Sequence, residues 1–100
     1  MGQFKEFDIG LNEYLDHIRA DYEKTGHNFK RFYAVPGRKY VHVIMEDNQR
    51  SSHSWIVMKE DKKFKFGDIL KSATWRGPAR NFARGNILNG DYKSIRWVGA

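Results

Sequence analysis

The residues best suited to chemistry in this 100-residue chain are concentrated in one stretch, residues 71–86, named here the basic-aromatic segment. It contains no acidic residue, and its charged and aromatic side chains are Lys71, Trp75, Arg76, Arg80, Phe82 and Arg84. Arginine carries a planar, permanently charged guanidinium that matches phosphate groups, and an indole face can stack on a nucleic-acid base. The segment therefore predicts binding to phosphates and bases.

We expect the contacts to nucleic acid to come from this segment and from one turn earlier in the chain. The predicted nucleic-acid-binding residues are Arg76, Arg80, Arg84, Lys71, Trp75, Arg38 and Lys39. Two interpretations of Trp75 remain open at this point, because its ring could stack on a base or anchor the loop to the core. For Phe82, packing in the core is the favoured interpretation.

Charge is distributed unevenly along the chain, whose formal net charge is +6. The balance is −3 over residues 1–28, +4 over residues 29–70 and +5 over residues 71–100. Such a gradient is typical of a protein that meets phosphates or an acidic protein surface. Charge that serves solubility alone explains it equally well.

The four histidines and the clustered serines do not form a recognised catalytic or metal-binding pattern. His42 and His53 fall on neighbouring predicted strands, with Glu46 or Asp47 as a conceivable third ligand, but no spacing typical of a metal site is present. The serines around His53 lack the sharp turn that exposes a nucleophile. We therefore predict a protein that is not an enzyme and has no catalytic residue, metal or cofactor.

Residue usage also bears on the compartment. The chain has no cysteine, so neither disulfides nor thiolate zinc sites are available. No apolar run approaches the ~20 residues that span a bilayer, and the N-terminus does not resemble a secretory signal. A soluble intracellular protein without a membrane partner is the resulting expectation.

The elements that must position these residues follow from hydrophobic periodicity. Apolar residues at helical spacing predict a helix over residues 10–24, capped by Asp8 and stopped by Gly26. Alternating and β-branched stretches predict strands at residues 29–35, 39–45, 52–58, 68–71 and 92–98. Pro78 and Gly85 bound a predicted short helix at residues 78–84, which would place Arg80 and Arg84 on one face.

These elements predict a single α+β domain over residues 1–100. An N-terminal amphipathic helix would pack on an antiparallel sheet of four or five strands, with a short C-terminal helix after it. The last strand, at residues 92–98, would offer an exposed edge through which two copies could form a homodimer.

Two stretches carry a resemblance to a known group of proteins. Residues 36–41 read Pro-Gly-Arg-Lys-Tyr-Val, and residues 67–80 contain a Gly-Asp hairpin followed by Ala-Thr-Trp-Arg-Gly-Pro-Ala. The arrangement resembles small uncharacterised proteins of tailed bacteriophages, in which a Gly-Asp hairpin precedes a Ser/Thr-Trp-x-x-Pro-Ala segment. The resemblance covers roughly residues 33–88 and implies a virus-encoded protein acting in the cytoplasm of an infected bacterium. It supplies no catalytic residue.

Three hypotheses about function follow from these observations. The first is a small phage-type protein that binds DNA or RNA through its basic-aromatic patch. The second is a host-takeover or inhibitor protein whose basic face docks on an acidic surface of a bacterial protein. A virion accessory protein is the third.

Overall fold

The computed structural model describes residues 2–100, with side chains from residue 6 onwards. One helix, α1 (Gly2–Glu23), precedes every strand. The strands are β1 (Arg31–Pro36), β2 (Tyr40–Glu46), β3 (Arg50–Val57), β4 (Asp68–Thr74), β5 (Gly77–Pro78) and β6 (Gly85–Asn86). The predicted α+β architecture, an N-terminal helix on an antiparallel sheet, is confirmed.

Helix α1 presents one apolar stripe to the sheet, as its periodicity predicts. Its buried side chains are Phe7, Tyr14, Leu15, Ile18 and Tyr22, at the three- and four-residue spacing of one helix face. The chain leaves the helix at Gly26, whose φ of 83° suits glycine. The predicted cap at Asp8 was wrong, because the helix already runs through this residue.

The sheet is built from consecutive antiparallel hairpins in the order β1-β2-β3-β4. The outer edge of β4 is shared between two short strands, because β6 pairs with its first residues and β5 with its last. Trp75 and Arg76 occupy the two turn positions between β4 and β5. The Trp75 ring of the basic-aromatic segment is therefore held at the tip of a hairpin.

Two apolar layers hold these elements together. The main core lies between α1 and one face of the sheet, named here the helix face, and includes Ile56 and Ile69 at its centre. A smaller cluster lies on the opposite, helix-free face, and consists of Tyr40, Trp55, Val57, Phe64, Leu70 and Ala83. The loops at residues 58–67 and 79–84 supply Phe64 and Ala83, so they cover part of the helix-free face.

The predicted short helix at residues 78–84 was wrong. Pro78 lies in β5, and the chain beyond it is irregular up to Gly85. The Ala79 and Arg84 amides donate to carbonyl oxygens of β4, at Lys71 and Ile69, over 2.8 and 2.7 Å. Hydrogen bonds to the sheet replace those of a helix too short to be stable by itself.

The predicted last strand at residues 92–98 was also wrong. This segment consists of turns with isolated bridges, and its backbone bonds to the helix and to β3. The Trp97 amide donates to Asp21, and the Arg96 carbonyl accepts from His53. Since the segment is not a strand, it does not offer the sheet edge on which the predicted homodimer depended.

In the part of the chain that the structure describes, no helix combines the length and the apolar character needed to cross a bilayer.

Candidate nucleic-acid interface

The helix-free face carries a row of four cross-strand neighbours at its centre. The register places Val35, His42, Trp55 and Leu70 side by side on β1, β2, β3 and β4. Leu70 lies under the loops that cover this face, whereas Val35 at the other end is exposed. The face is therefore closed towards β4 and open towards β1.

Three aromatic side chains meet on this face. The His42 and Trp55 rings are stacked, with centroids 3.8 Å apart and planes 5° from parallel. The Trp75 ring packs against the His42 ring, with the ring centroids 4.7 Å apart and the ring planes at 66°. His42 and Trp55 are only 9% and 8% exposed, whereas Trp75 is 44% exposed. Trp75 is thus fixed on one side by a packed stack and open to solvent on the other.

A chain of hydroxyl groups fixes the strands beside this stack. His42 Nε2 lies 2.7 Å from the Ser52 Oγ, which lies 2.6 Å from the Ser72 Oγ. The Trp55 indole donates to Ser72 over 3.3 Å. Burial lowers the pKa of His42, so its ring is neutral at pH 7. The network links β2, β3 and β4 and thereby positions the hairpin that carries Trp75.

Two arginines lie next to Trp75. The Arg50 guanidinium lies 5.6 Å from the centroid of the indole ring, within the range of a cation–π contact. Arg76 follows Trp75 in the turn. Neither arginine forms an ion pair with the residues that the structure describes. We name Trp75, Arg50 and Arg76 together the Trp75 site.

Two other predicted contact residues are instead paired with an acid. Arg80 donates to Asp61 over 2.7 Å and to the Tyr40 hydroxyl, and it lies 4.8 Å from the Phe64 ring centroid. The Lys39 ammonium lies 3.8 Å from the same carboxylate. Hydrogen bonds from the Phe64 amide and from Arg80 hold the pKa of Asp61 well below its usual range. Arg80 and Lys39 therefore secure the covered part of the helix-free face, and their charges are partly neutralised.

The remaining predicted residues lie at three separate places. Arg84 stacks on Phe82, with the guanidinium carbon 4.1 Å from the ring centroid. Arg38 lies in the exposed loop between β1 and β2. Lys71 is the cross-strand partner of Ser54, whose hydroxyl bonds to Tyr14 of α1, so it belongs to the helix face. Folding thus divides the predicted patch. Arg76 and Trp75 remain together in one turn, and Arg80 and Lys39 remain together at Asp61.

Sequence reasoning missed Arg50 and His42 as parts of this site. The expected strands already placed His42 and Trp55 on neighbouring strands, and this was the available signal. Their exact alignment depends on a β-bulge at His53, which lies between the Val43–Ser54 and Ile44–Ser52 pairs. No pattern in the sequence predicts the β-bulge at His53.

The same bulge separates the two histidines that the sequence placed close together. His42 lies on the helix-free face, whereas His53 is buried among Tyr14 and Phe32 on the helix face. Among the side chains that the structure describes, no group of three or more His, Cys, Asp or Glu is placed to hold a metal ion.

Comparison with protein families gives a match over nearly the whole chain. Residues 6–98 match the model of a family of unknown function, DUF7717. The chain belongs to this family. No curated protein and no solved structure matches it. Because the match spans both Trp75 and the strands behind it, the site described above lies entirely within the part shared with the DUF7717 model.

Proposed function

We propose that this DUF7717 protein binds single-stranded nucleic acid through the Trp75 site. The supporting observation is an indole that is half exposed, fixed against a buried aromatic stack and flanked by two arginines. Neither arginine is paired with an acid among the described residues. A base would stack on the open side of Trp75, and Arg50 and Arg76 would contact the adjoining phosphates. In line with the bacteriophage resemblance, the ligand would be DNA or RNA in the cytoplasm of a host bacterium.

A single strand fits this site better than a duplex does. Stacking requires the face of a base, which is covered by its neighbours in a helix but accessible in a single strand. Trp75 lies at the tip of a two-residue turn, where it can meet a base from the side. The net charge of +6 would add attraction for any polyanion.

The proposed role involves no catalysis. His42 and Ser52 are the contact that most resembles a base and a nucleophile. However, His42 is buried between Trp55 and Trp75, and Ser52 is also bonded to Ser72. This contact is explained by its structural role in joining three strands.

Replacing Trp75 by alanine is expected to weaken binding to a labelled single strand at least about fivefold, the lower end of a base-stacking contribution of ~1–3 kcal/mol. Fluorescence anisotropy at two salt concentrations measures this, with duplex DNA and RNA titrated in parallel. Phe29→Ala is the control, because Phe29 is also an exposed aromatic residue but contacts Tyr22 and His27 beside the helix.

Equal affinities of the wild type and Trp75→Ala would overturn the proposal. Absence of binding even at low salt would do the same. The exposed tryptophan and arginines would then favour the second hypothesis, a basic face that docks on a host protein, because these residue types dominate protein interfaces. Capture of a single acidic host protein that the Trp75→Ala variant fails to retain would support that alternative.

The two arginines give an independent prediction about salt. Each of Arg50→Ala and Arg76→Ala is expected to reduce the slope of log affinity against log salt by about 0.7, the value for one phosphate contact in a single strand. Titrations at four or more salt concentrations give the slope. Lys24→Ala removes the same charge from the end of the helix and should leave the slope unchanged.

Asp61→Asn is expected to tighten binding severalfold at low salt. One carboxylate oxygen of Asp61 accepts from the Lys63 and Phe64 amides, and asparagine retains an oxygen there. The other oxygen neutralises Arg80 and Lys39, whose charges would then be free to attract phosphates. Asp8→Asn makes the same change of net charge on α1. Equal gains in both variants would show that only net charge matters.

A further inference from the structure

A second aromatic residue is displayed on the loop that follows the Trp75 hairpin. Phe82 is 54% exposed, although its residue type favoured the core. The Arg84 guanidinium lies 4.1 Å from the Phe82 ring centroid, closer than Arg50 lies to Trp75. The described residues thus include two separate pairs of an arginine and an exposed aromatic ring.

Arg84 forms no ion pair with any acidic residue that the structure describes. Its Nε atom is buried without a hydrogen-bond partner. Arg80 on the same loop differs, because it is bonded to Asp61 and Tyr40. Of these two arginines, Arg84 is the one whose charge remains for a ligand.

The sheet fixes the position of this pair. The loop begins after β5, where the Ala79 amide donates to the Lys71 carbonyl of β4, and it ends before β6, where the Arg84 amide donates to the Ile69 carbonyl of β4. Trp75 follows directly after Thr74, the last residue of the same strand. At about 3.4 Å per residue, Ile69 and Thr74 are about 17 Å apart along β4. Both pairs therefore lie along one edge of the sheet.

We propose that Phe82 and Arg84 form a second stacking subsite, and that one single strand of nucleic acid spans from Trp75 to Phe82. This inference rests on the function proposed above and extends it from a single contact to a ligand of several nucleotides. Phe82 supplies the face for a second base, and Arg84 supplies a planar cation for the phosphate beside it. The edge of β4 and its two short partner strands sets the spacing between the subsites.

The test compares a dinucleotide with a strand of about ten nucleotides, within the ~4–16 typical of single-strand sites. The dinucleotide can occupy one subsite at a time, so two subsites of equal affinity predict that each of Phe82→Ala and Trp75→Ala weakens its binding only about twofold, by removing one of two alternative sites. The longer strand engages both subsites at once. Each single variant should therefore bind the longer strand at least about fivefold more weakly than the wild type does.

Arg84→Lys keeps the charge but removes the planar guanidinium next to Phe82. Its affinity for the longer strand should therefore decrease less than that of Phe82→Ala. Lys93→Ala, an exposed charge outside both subsites, serves as the matched control. Phe82 is largely exposed, and unchanged denaturant midpoints would confirm that its truncation leaves the fold intact.

Binding of the longer strand that depends on Trp75 but is unaffected by Phe82→Ala and Arg84→Lys would overturn the second subsite and leave the proposed function standing. Failure of the wild type to bind either oligonucleotide would overturn both. A third outcome would also contradict a strand that spans the two subsites. In it, the two variants lose different amounts of affinity, but each variant loses the same amount with the dinucleotide as with the longer strand.

Discussion

Gly85→Ala is expected to destabilise the protein by about 3 kcal/mol or more, the upper range for overpacking a core position. Gly85 is buried in β6, and a Cβ built on its backbone would lie 1.9 Å from the carbonyl oxygen of Asp91. That oxygen belongs to the turn that bridges Asn86 and Asp91 through two backbone hydrogen bonds of 3.0 and 3.1 Å. Because the obstructing atom is backbone, relief requires the turn to move away from the sheet.

Urea unfolding measures this loss, and Gly77→Ala is the matched control. Apart from Gly77 and its two chain neighbours, no described atom lies within 4 Å of a Cβ built at Gly77, and its φ is not positive, so the change should stay within about 0.5 kcal/mol. Gly10→Ala should also destabilise, since its Cβ would lie 2.5 Å from the Ile87 carbonyl oxygen. Equal stability of the Gly85 and Gly77 variants would show that the 85–91 turn is not held in this close approach.

Ser54→Ala is expected to cost about 2–3 kcal/mol, because it breaks a buried chain of hydrogen bonds at its centre. The Ser54 Oγ lies 2.8 Å from the Tyr14 hydroxyl and 2.9 Å from His53 Nδ1. The other nitrogen of His53, Nε2, lies 2.9 Å from the Arg96 carbonyl oxygen. A neutral imidazole that donates through Nε2 and accepts at Nδ1 satisfies every member of the chain. Removing the hydroxyl leaves two buried groups without a partner.

The same network makes stability depend on pH. Burial lowers the pKa of His53, whereas an unfolded histidine titrates near 6.5. Below about pH 6.5 the unfolded chain therefore binds a proton that the folded chain does not. As the pH decreases, the free energy of unfolding decreases by up to ~1.4 kcal/mol per pH unit until the pKa of folded His53 is reached. Above about pH 6.5 this contribution is fully present.

Free energies of unfolding at about pH 7.5 and about pH 5 test the dependence. The wild type should be less stable at the lower pH, and His53→Gln should show a smaller difference between the two conditions. His42 contributes with the same sign, because burial also lowers its pKa, so His42→Gln removes a second part. A pH difference that persists unchanged in the double variant would assign it to groups other than these histidines.

The sequence by itself determined the elements whose residues repeat with a clear period. The apolar stripe of α1 specifies its buried side, and the β-branched and aromatic stretches specify β1, β2 and β3 as strands. Since β2 and β3 are buried on both faces, alternation does not specify one buried side for them. The stop at Gly26 and the turn after Pro36 follow from local backbone preference. These features are local, so they can be predicted without knowledge of what each element packs against.

Tertiary structure alone decided the form of the chain after β4. Residues 78–84 and 92–98 have local patterns that suit a helix and a strand, but their amide and carbonyl groups bond to β4, β3 and α1 instead. In short segments such long-range bonds outweigh weak local preferences. The fold of the chain after Thr74, about a quarter of the sequence, was therefore not predictable from periodicity.

The candidate site likewise has parts that the sequence indicates and parts that only the folded structure determines. The sequence singled out Trp75 and its neighbouring cations, because residue type and spacing are visible along the chain. Only folding assigned Arg80 to Asp61, placed Lys71 on the helix face and brought Arg50 to Trp75 from a strand 25 positions earlier in the chain. A charge becomes part of a binding surface only when no acid lies beside it, and that depends on contacts between residues far apart in the sequence.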